Sequence, residues 1–331
     1  MKAVIVGSGS WGTGIAQVLA DNKQDVTIWG IDKDELNDIK VNHQNAKYFP
    51  EVKLNENIKV SNDIEVASDA DVVVLSVPTI AIEDVCKSLN KVVKHKIIIV
   101  NTSKGFHPIT NERMSSVIRD TMDEDKLSSV VSLIGPSHAE EVVLRMLTTI
   151  CAVSLNDEDA KFVQNNFSND YLRVYTGNDE IGSEVGVAIK NAIAVASGTL
   201  AGLGYGDNTK AALITRGLKE MITFGMAMGG KFETFMGLTG IGDLIVTCTS
   251  IHSRNFQAGY EIGKHNDAQY FWDNNTKTVE GVRTAKVVHE LAIKMKLDLP
   301  IINEIYKVLY EKKKPSISAN DLMLRDLKEE M

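Results

Sequence analysis

Apolar residues follow two rhythms along this chain. Up to Thr176-Gly177-Asn178-Asp179 they gather in short runs, and each run is followed by a segment with apolar positions at helical spacing. Beyond that point only the helical spacing remains. The runs predict strands at 4–6, 26–29, 58–60, 71–76, 97–100, 130–134, 149–153 and 171–175. Near-continuous runs such as 71–76 suit parallel strands covered on both faces. Between them the spacing predicts helices after Gly12, at 33–42, 80–89 and 109–121, and between the last two strands. In the second half it predicts helices at 181–203, 208–228, 278–295, 301–309 and 318–327, with a break at Gly229-Gly230. Strand and helix in alternation give an α/β fold, a Rossmann-like doubly wound sheet, followed by an all-helical C-terminal domain. The expected domains are 1–178, for a dinucleotide, and 179–331, for a substrate.

The first strand runs into Gly7-Ser8-Gly9-Ser10-Trp11-Gly12. Glycines at this spacing, between a strand and a helix, form the dinucleotide fingerprint. Gly7 permits a backbone closed to other residues. Gly9 admits a pyrophosphate, and Gly12 lets helix and strand lie close. The open N–H groups of the helix start then favour the pyrophosphate. Asp32 follows the second strand at the distance where an acid can bind the adenosine ribose. Loops after Ser76, Val100 and Ile134 end strands, where ligands of open α/β sheets sit, often beside another domain.

Composition narrows the class. A formal net charge of -8 over 331 residues gives no support for nucleic-acid binding. Cys86, Cys151 and Cys248 are odd in number and scattered, which points to a reducing compartment, the cytoplasm. The histidines make no ligand spacing, so no metal site is expected. The N-terminal apolar run is too short for a signal peptide, and no stretch reads as long enough in apolar sequence to span a membrane. No G-x-S-x-G elbow supports a hydrolase.

Lys190 interrupts an otherwise apolar, Ala- and Gly-rich helix between Val185 and Ala196. A Lys buried there must find specific partners or lose its charge, which suits acid–base work. The alternative is a Lys snorkelling at an edge. Lys104, after a strand end, can reach a carbonyl or phosphate, or be a solvated loop charge. Asp243 closes the glycine-rich stretch from Gly237 and either pairs with a lysine or caps a helix. Ser253-Arg254-Asn255 offers a forked cation for an oxyanion, with a surface ion pair as the plain alternative. Glu280 opens a helix, where its charge is favourable in any case.

Together these pieces resemble the bacterial NAD(P)-dependent glycerol-3-phosphate dehydrogenases over essentially the whole length. The resemblance rests on Gly7 to Gly12, Asn101-Thr-Ser-Lys104-Gly105, Gly135-Pro-Ser-His-Ala139, Lys190-Asn191 and Asn208 to Gly217. It is completed by Gly237 to Leu244, Ser253-Arg254-Asn255 and Val279-Glu280-Gly281. It implies reversible reduction of dihydroxyacetone phosphate to sn-glycerol 3-phosphate, a precursor of glycerophospholipids, by NADH or NADPH, with no metal. It implies Lys190 as the catalytic acid–base residue. It implies substrate contacts at Lys104, Gly135, Ser137, Asn191, Asp243, Thr247, Ser253, Arg254 and Asn255. It implies cofactor contacts at Gly7, Gly9, Ser10, Trp11, Gly12, Asp32, Lys104, Ala139, Arg254 and Glu280, and it suggests a homodimer.

Two features depart from the family pattern. Leu144 to Thr148 lacks a proline usual before the next strand, which puts the local loop shape in question. Arginines that select NADP are absent after the second strand, where Asp32 favours NAD and Lys33 accommodates NADP. The sheet by itself leaves open a 2-hydroxy-acid dehydrogenase or a non-enzymatic nicotinamide-binding regulator.

Overall fold

The computed structural model describes residues 1–327, 329 and 330. The chain divides into two compact units, Met1–Glu184 and Val185–Met331. The division falls inside a long helix, whereas the sequence pattern places the break just ahead of it, at 178/179.

The first unit holds β1 (Lys2–Val6), β2 (Asp25–Trp29), β3 (Lys59–Ser61), β4 (Val72–Leu75), β5 (Ile97–Asn101), β6 (Leu127–Ile134), β7 (Thr148–Val153) and β8 (Leu172–Gly177). They form one sheet in the order β3-β2-β1-β4-β5-β6-β7-β8. Pairing is parallel except for β6 against β7. That antiparallel step is invisible in the sequence, because an apolar run reads the same in either direction. β4 and β5 are buried throughout, as their unbroken apolar runs require. The helices are α1 (Ser10–Asp21), α2 (Lys33–Asn42), α3 (Ile82–Val92), α4 (Met114–Thr121), α5 (Ala139–Val143) and α6 (Asp157–Phe167).

The helix expected at 109–121 starts only at Met114. Phe106 instead bridges to Arg113, and Asn111 turns the chain with φ 61°. Pro108 and that left-handed residue oppose a helix here. In the segment lacking the family's proline, Arg145 takes φ 60° and its guanidinium clasps Asp21.

α7 (Glu180–Gly202) begins in the first unit, where its acids are held firmly. Glu180 accepts from Ser115 Oγ and from Arg113 and Arg119, and Glu184 accepts from Ser132 Oγ and Ser115. Burial pushes the Glu184 carboxyl up, with Glu180 adding to the push.

Among its described residues the second unit contains helices and no strand. After α7 come α8 (Asp207–Ala227), α9 (Phe232–Phe235), α10 (Asp243–Thr249), α11 (Arg254–His265) and α12 (Ala268–Asn274). α13 (Glu280–Met295), α14 (Pro300–Tyr310) and α15 (Pro315–Met323) complete it. The helix expected at 318–327 is displaced toward the N-terminus, because Pro315 starts it. The expectation that no stretch is long and apolar enough to cross a membrane is corrected by α7, whose 23 residues contain a window of mean hydropathy 1.4. Of that window 78% is buried, and its Ala and Gly serve packing. A Cβ on Gly198 or Gly259 would strike the backbone of the facing helix, so α7 and α11 approach closely only because both are glycine.

Candidate active site

In the first unit the glycine turn joins β1 to α1. Gly7 has φ 119°, and a Cβ there would lie 2.5 Å from Ser76 O, so no other residue fits without moving the neighbouring strand end. A Cβ on Gly12 would collide with Gly7 O. At Gly9 a Cβ would meet nothing within 4 Å. Gly9 is the N-cap of α1 and brings no side-chain acceptor to the helix start, where Ser10 and Trp11 stand. Trp11 Nε1 is buried and lacks a hydrogen-bond partner. Open space, uncapped N–H groups and an orphaned donor fit a pyrophosphate-bearing ligand.

Asp32 has a structural task of its own. Its Oδ1 accepts from Asp34 N at 3.1 Å and Glu35 N at 3.2 Å, capping α2. Those bonds, with Lys47 beside it, hold its carboxyl below the ordinary value. Lys33, the neighbouring cation, is exposed. Lys104 Nζ donates to Gly135 O at 2.7 Å, and Ser137 Oγ donates to the same carbonyl at 3.1 Å. Gly135 takes φ 145° with Ile150 packed beneath it. Thus two sequence-distant loops named as ligand contacts meet at one carbonyl, with buried Ala139 opening α5 just beyond.

In the second unit the helix α7 carries Lys190. Lys190 is 4% exposed. Its Nζ donates to Asp243 Oδ1 at 2.6 Å and to Thr247 Oγ1 at 2.7 Å. The local sequence explains this meeting. Gly186 lies one helical turn before Lys190, on the same face of α7. A Cβ at Gly186 would lie 2.7 Å from Thr239 O, so the glycine-rich loop rests directly on the helix. That loop, with a π-helical turn at Leu238–Gly242, delivers Asp243 as the first residue of α10. Thr247 follows one turn later and faces the same lysine. The N-cap of α10 is Gly242, so the capping alternative for Asp243 falls away. Cys248, next along, is a buried thiol pushed up to about 12, chiefly by burial.

Asn191 points elsewhere, as adjacency to Lys190 requires. Its Oδ1 accepts from Asn255 Nδ2 at 2.9 Å, and Asn255 Oδ1 accepts from Gly281 N at 2.9 Å. Asn255 therefore ties α7, α11 and the start of α13 together. Ser253 is the N-cap of α11, accepting from Phe256 N at 3.2 Å. Arg254, first in that helix, is exposed. Burial pushes the Glu280 carboxyl up, against the opposing pull of Arg283 and Arg254. Among the described residues no group of three or more His, Cys, Asp or Glu is placed to hold a metal ion.

The sequence pattern misses Lys47 and Glu35, which gather around Asp32 and Ser8. Neither stands out in the apolar pattern: Glu35 is one of several acids on the polar helix α2, and Lys47 lies in the loop that follows it.

Comparisons with known proteins agree with one another. Residues 2–160 match the family model described as NAD-dependent glycerol-3-phosphate dehydrogenase N-terminus, and residues 179–320 match the model of its C-terminus. The chain is 48% identical to a glycerol-3-phosphate dehydrogenase [NAD(P)+] of Listeria monocytogenes, covering 99% of this chain and 97% of that one. It is 46% identical to the enzyme of that name from Enterococcus faecalis, again over 99% and 97%. The crystal structure of glycerol-3-phosphate dehydrogenase from Coxiella burnetii superposes with a TM-score of 0.91 at 30% identity, covering 98% and 99% of the two chains.

Proposed function

Because this chain belongs to the NAD-dependent glycerol-3-phosphate dehydrogenase family and interconverts dihydroxyacetone phosphate and sn-glycerol 3-phosphate with NAD(P), we propose that Lys190 is its catalytic acid–base residue. The observation that carries this is the buried Lys190 ammonium, gripped by Asp243 and Thr247. When bound, the nicotinamide supplies or accepts the hydride. As the ketone carbon is reduced, negative charge develops on its oxygen. Lys190 meets that charge and donates a proton from Nζ. In the reverse direction its neutral amine takes the alcohol proton. Asp243 and Thr247 act through Lys190, fixing where Nζ lies, and low local polarity strengthens their grip.

Arg254 binds the phosphate and takes no part in proton transfer; its planar fork matches phosphate oxygens. Fixing that end of a three-carbon substrate orients the carbonyl. Asn191 and Asn255 present amide groups to the substrate, each held by the other. Lys104, Gly135, Ser137 and Ser253 complete the substrate contacts in this reading. Residues 1–178 bind the dinucleotide, with Gly7, Gly9 and Gly12 shaping the turn and Ser10, Trp11 and Ala139 beside it. Asp32 favours the ribose hydroxyls of NAD, and within 179–331 the family resemblance gives Glu280 as a cofactor contact. The free thiols Cys86, Cys151 and Cys248 support a cytoplasmic setting, and a homodimer is the assembly proposed from the family resemblance.

The test is Lys190→Ala, assayed with NADH and dihydroxyacetone phosphate by loss of nicotinamide absorbance. Turnover falls by about 10² to 10⁴-fold, the range of general acid–base catalysis, while NADH binding by fluorescence titration is retained. Normal turnover in the folded variant removes Lys190 from the mechanism.

A further inference from the structure

Asp32 does not stand alone where the ribose is placed above. Its Oδ2 accepts from Lys47 Nζ at 3.3 Å. The same ammonium donates to Glu35 Oε1 at 2.5 Å. Glu35 is 8% exposed, and its other oxygen accepts from Ser8 Oγ, also at 2.5 Å. Ser8 belongs to the glycine turn itself. The loop that carries Lys47 is latched to that turn as well: Asn45 Nδ2 donates to Ser8 O and to Thr13 Oγ1, both at 2.9 Å. A chain of polar contacts therefore runs from the pyrophosphate turn, through Glu35, to a lysine resting on Asp32.

The charges matter more than the contacts. Asp32 and Glu35 are two carboxylates bridged by one ammonium. Without it they would repel a phosphate on the ribose 2′ oxygen. With it the pair is half neutralised, and the cation has a long stem whose side chain is 57% exposed. It can stay on the acids or turn to an added phosphate as a mobile point charge. Lys33, by contrast, is exposed, and the hydrogen bonds of this cluster among the described residues do not involve its side chain.

We propose that Lys47 determines how this enzyme treats the 2′ position of the cofactor ribose, admitting a 2′-phosphate by leaving the Asp32–Glu35 pair. The proposal deepens the reading of Asp32 given above and rests on it. It also transfers to Lys47 the role that neighbouring position alone gives to Lys33.

Isothermal titration calorimetry with adenosine 2′,5′-bisphosphate and adenosine 5′-monophosphate tests this without turnover. In Lys47→Ala the ratio of the two affinities, bisphosphate over monophosphate, falls at least about tenfold. Lys47→Arg keeps the ratio within about threefold, and Lys33→Ala does the same. The kcat/KM ratio for NADPH over NADH moves in parallel. An unchanged ratio in Lys47→Ala, or an equal loss for both ligands, overturns the proposal. Asp32→Ala separates the two levels. If it shifts the ratio while Lys47→Ala does not, the ribose assignment stands and the role of Lys47 falls. If neither shifts it, both fall.

Discussion

Lys190 and Asp243, 53 residues apart in sequence, form an ion pair of 2.6 Å with side chains only 5% and 1% exposed. Desolvating two charges is costly, so removing one partner leaves the other in a hostile place. Asp243→Asn is accordingly expected to destabilise the protein by about 3–5 kcal/mol. It should also lower kcat more than it changes the KM for dihydroxyacetone phosphate, because Asp243 acts through the lysine. Urea denaturation and steady-state kinetics read the two effects. A variant as stable and as fast as the parent would show that the pair does neither job.

Arg254→Ala should chiefly weaken substrate binding. Charge-assisted hydrogen bonds contribute about 1.5–3 kcal/mol, so kcat/KM for dihydroxyacetone phosphate should fall roughly 10- to 150-fold. Dihydroxyacetone, which lacks the phosphate, is the comparison. Equal losses for both ketones would argue against phosphate binding at this residue.

The two glycines of the turn should separate fold from ligand. Gly12→Ala forces a methyl into the Gly7 carbonyl and should lower the melting temperature. Gly9→Ala meets open space and should leave melting nearly unchanged. It should nevertheless reduce NADH affinity severalfold, since the methyl occupies the approach of the pyrophosphate. Calorimetric melting and fluorescence titration suffice. Reversed sensitivities would contradict the account of the turn.

Glu220 gives a pH-dependent stability unconnected with catalysis. It is 5% exposed and accepts from Ile301 N at 2.6 Å and Ile302 N at 3.1 Å, capping α14. Burial pushes its carboxyl up from 4.5 to about 7, against those two N–H groups. The folded state therefore holds this proton more tightly than the unfolded chain. Its stabilising contribution is complete below about pH 4.5 and is lost as pH rises through about 7, a change of roughly 3 kcal/mol. Glu220→Gln cannot titrate, so the difference in unfolding free energy between pH 5 and pH 8 should shrink by about that amount. A difference equal to that of the parent protein would rule out Glu220 as its source.

Much of this was legible along the chain. The strands, the glycine turn and the long helix through Lys190 each follow from residues a few positions apart. A strand needs only its own apolar run, and Gly7 needs only its own φ. Where local reading misplaced a helix start, one or two nearby residues were responsible. Pro108 and Asn111 delayed α4, and Pro315 moved α15.

The sequence by itself determined that a dinucleotide turn opens the chain, that strands give way to helices, and that a lysine stands in an apolar helix. Tertiary structure alone decided that β7 runs antiparallel to β6, that Asp243 and Thr247 meet Lys190, and that Lys47 rests on Asp32 and Glu35. The physical reason is range. Backbone preference and periodicity act over a few residues and are written where they act. A hydrogen bond across 53 residues depends on which helices can approach, here on the missing side chain of Gly186 against the Thr239 carbonyl.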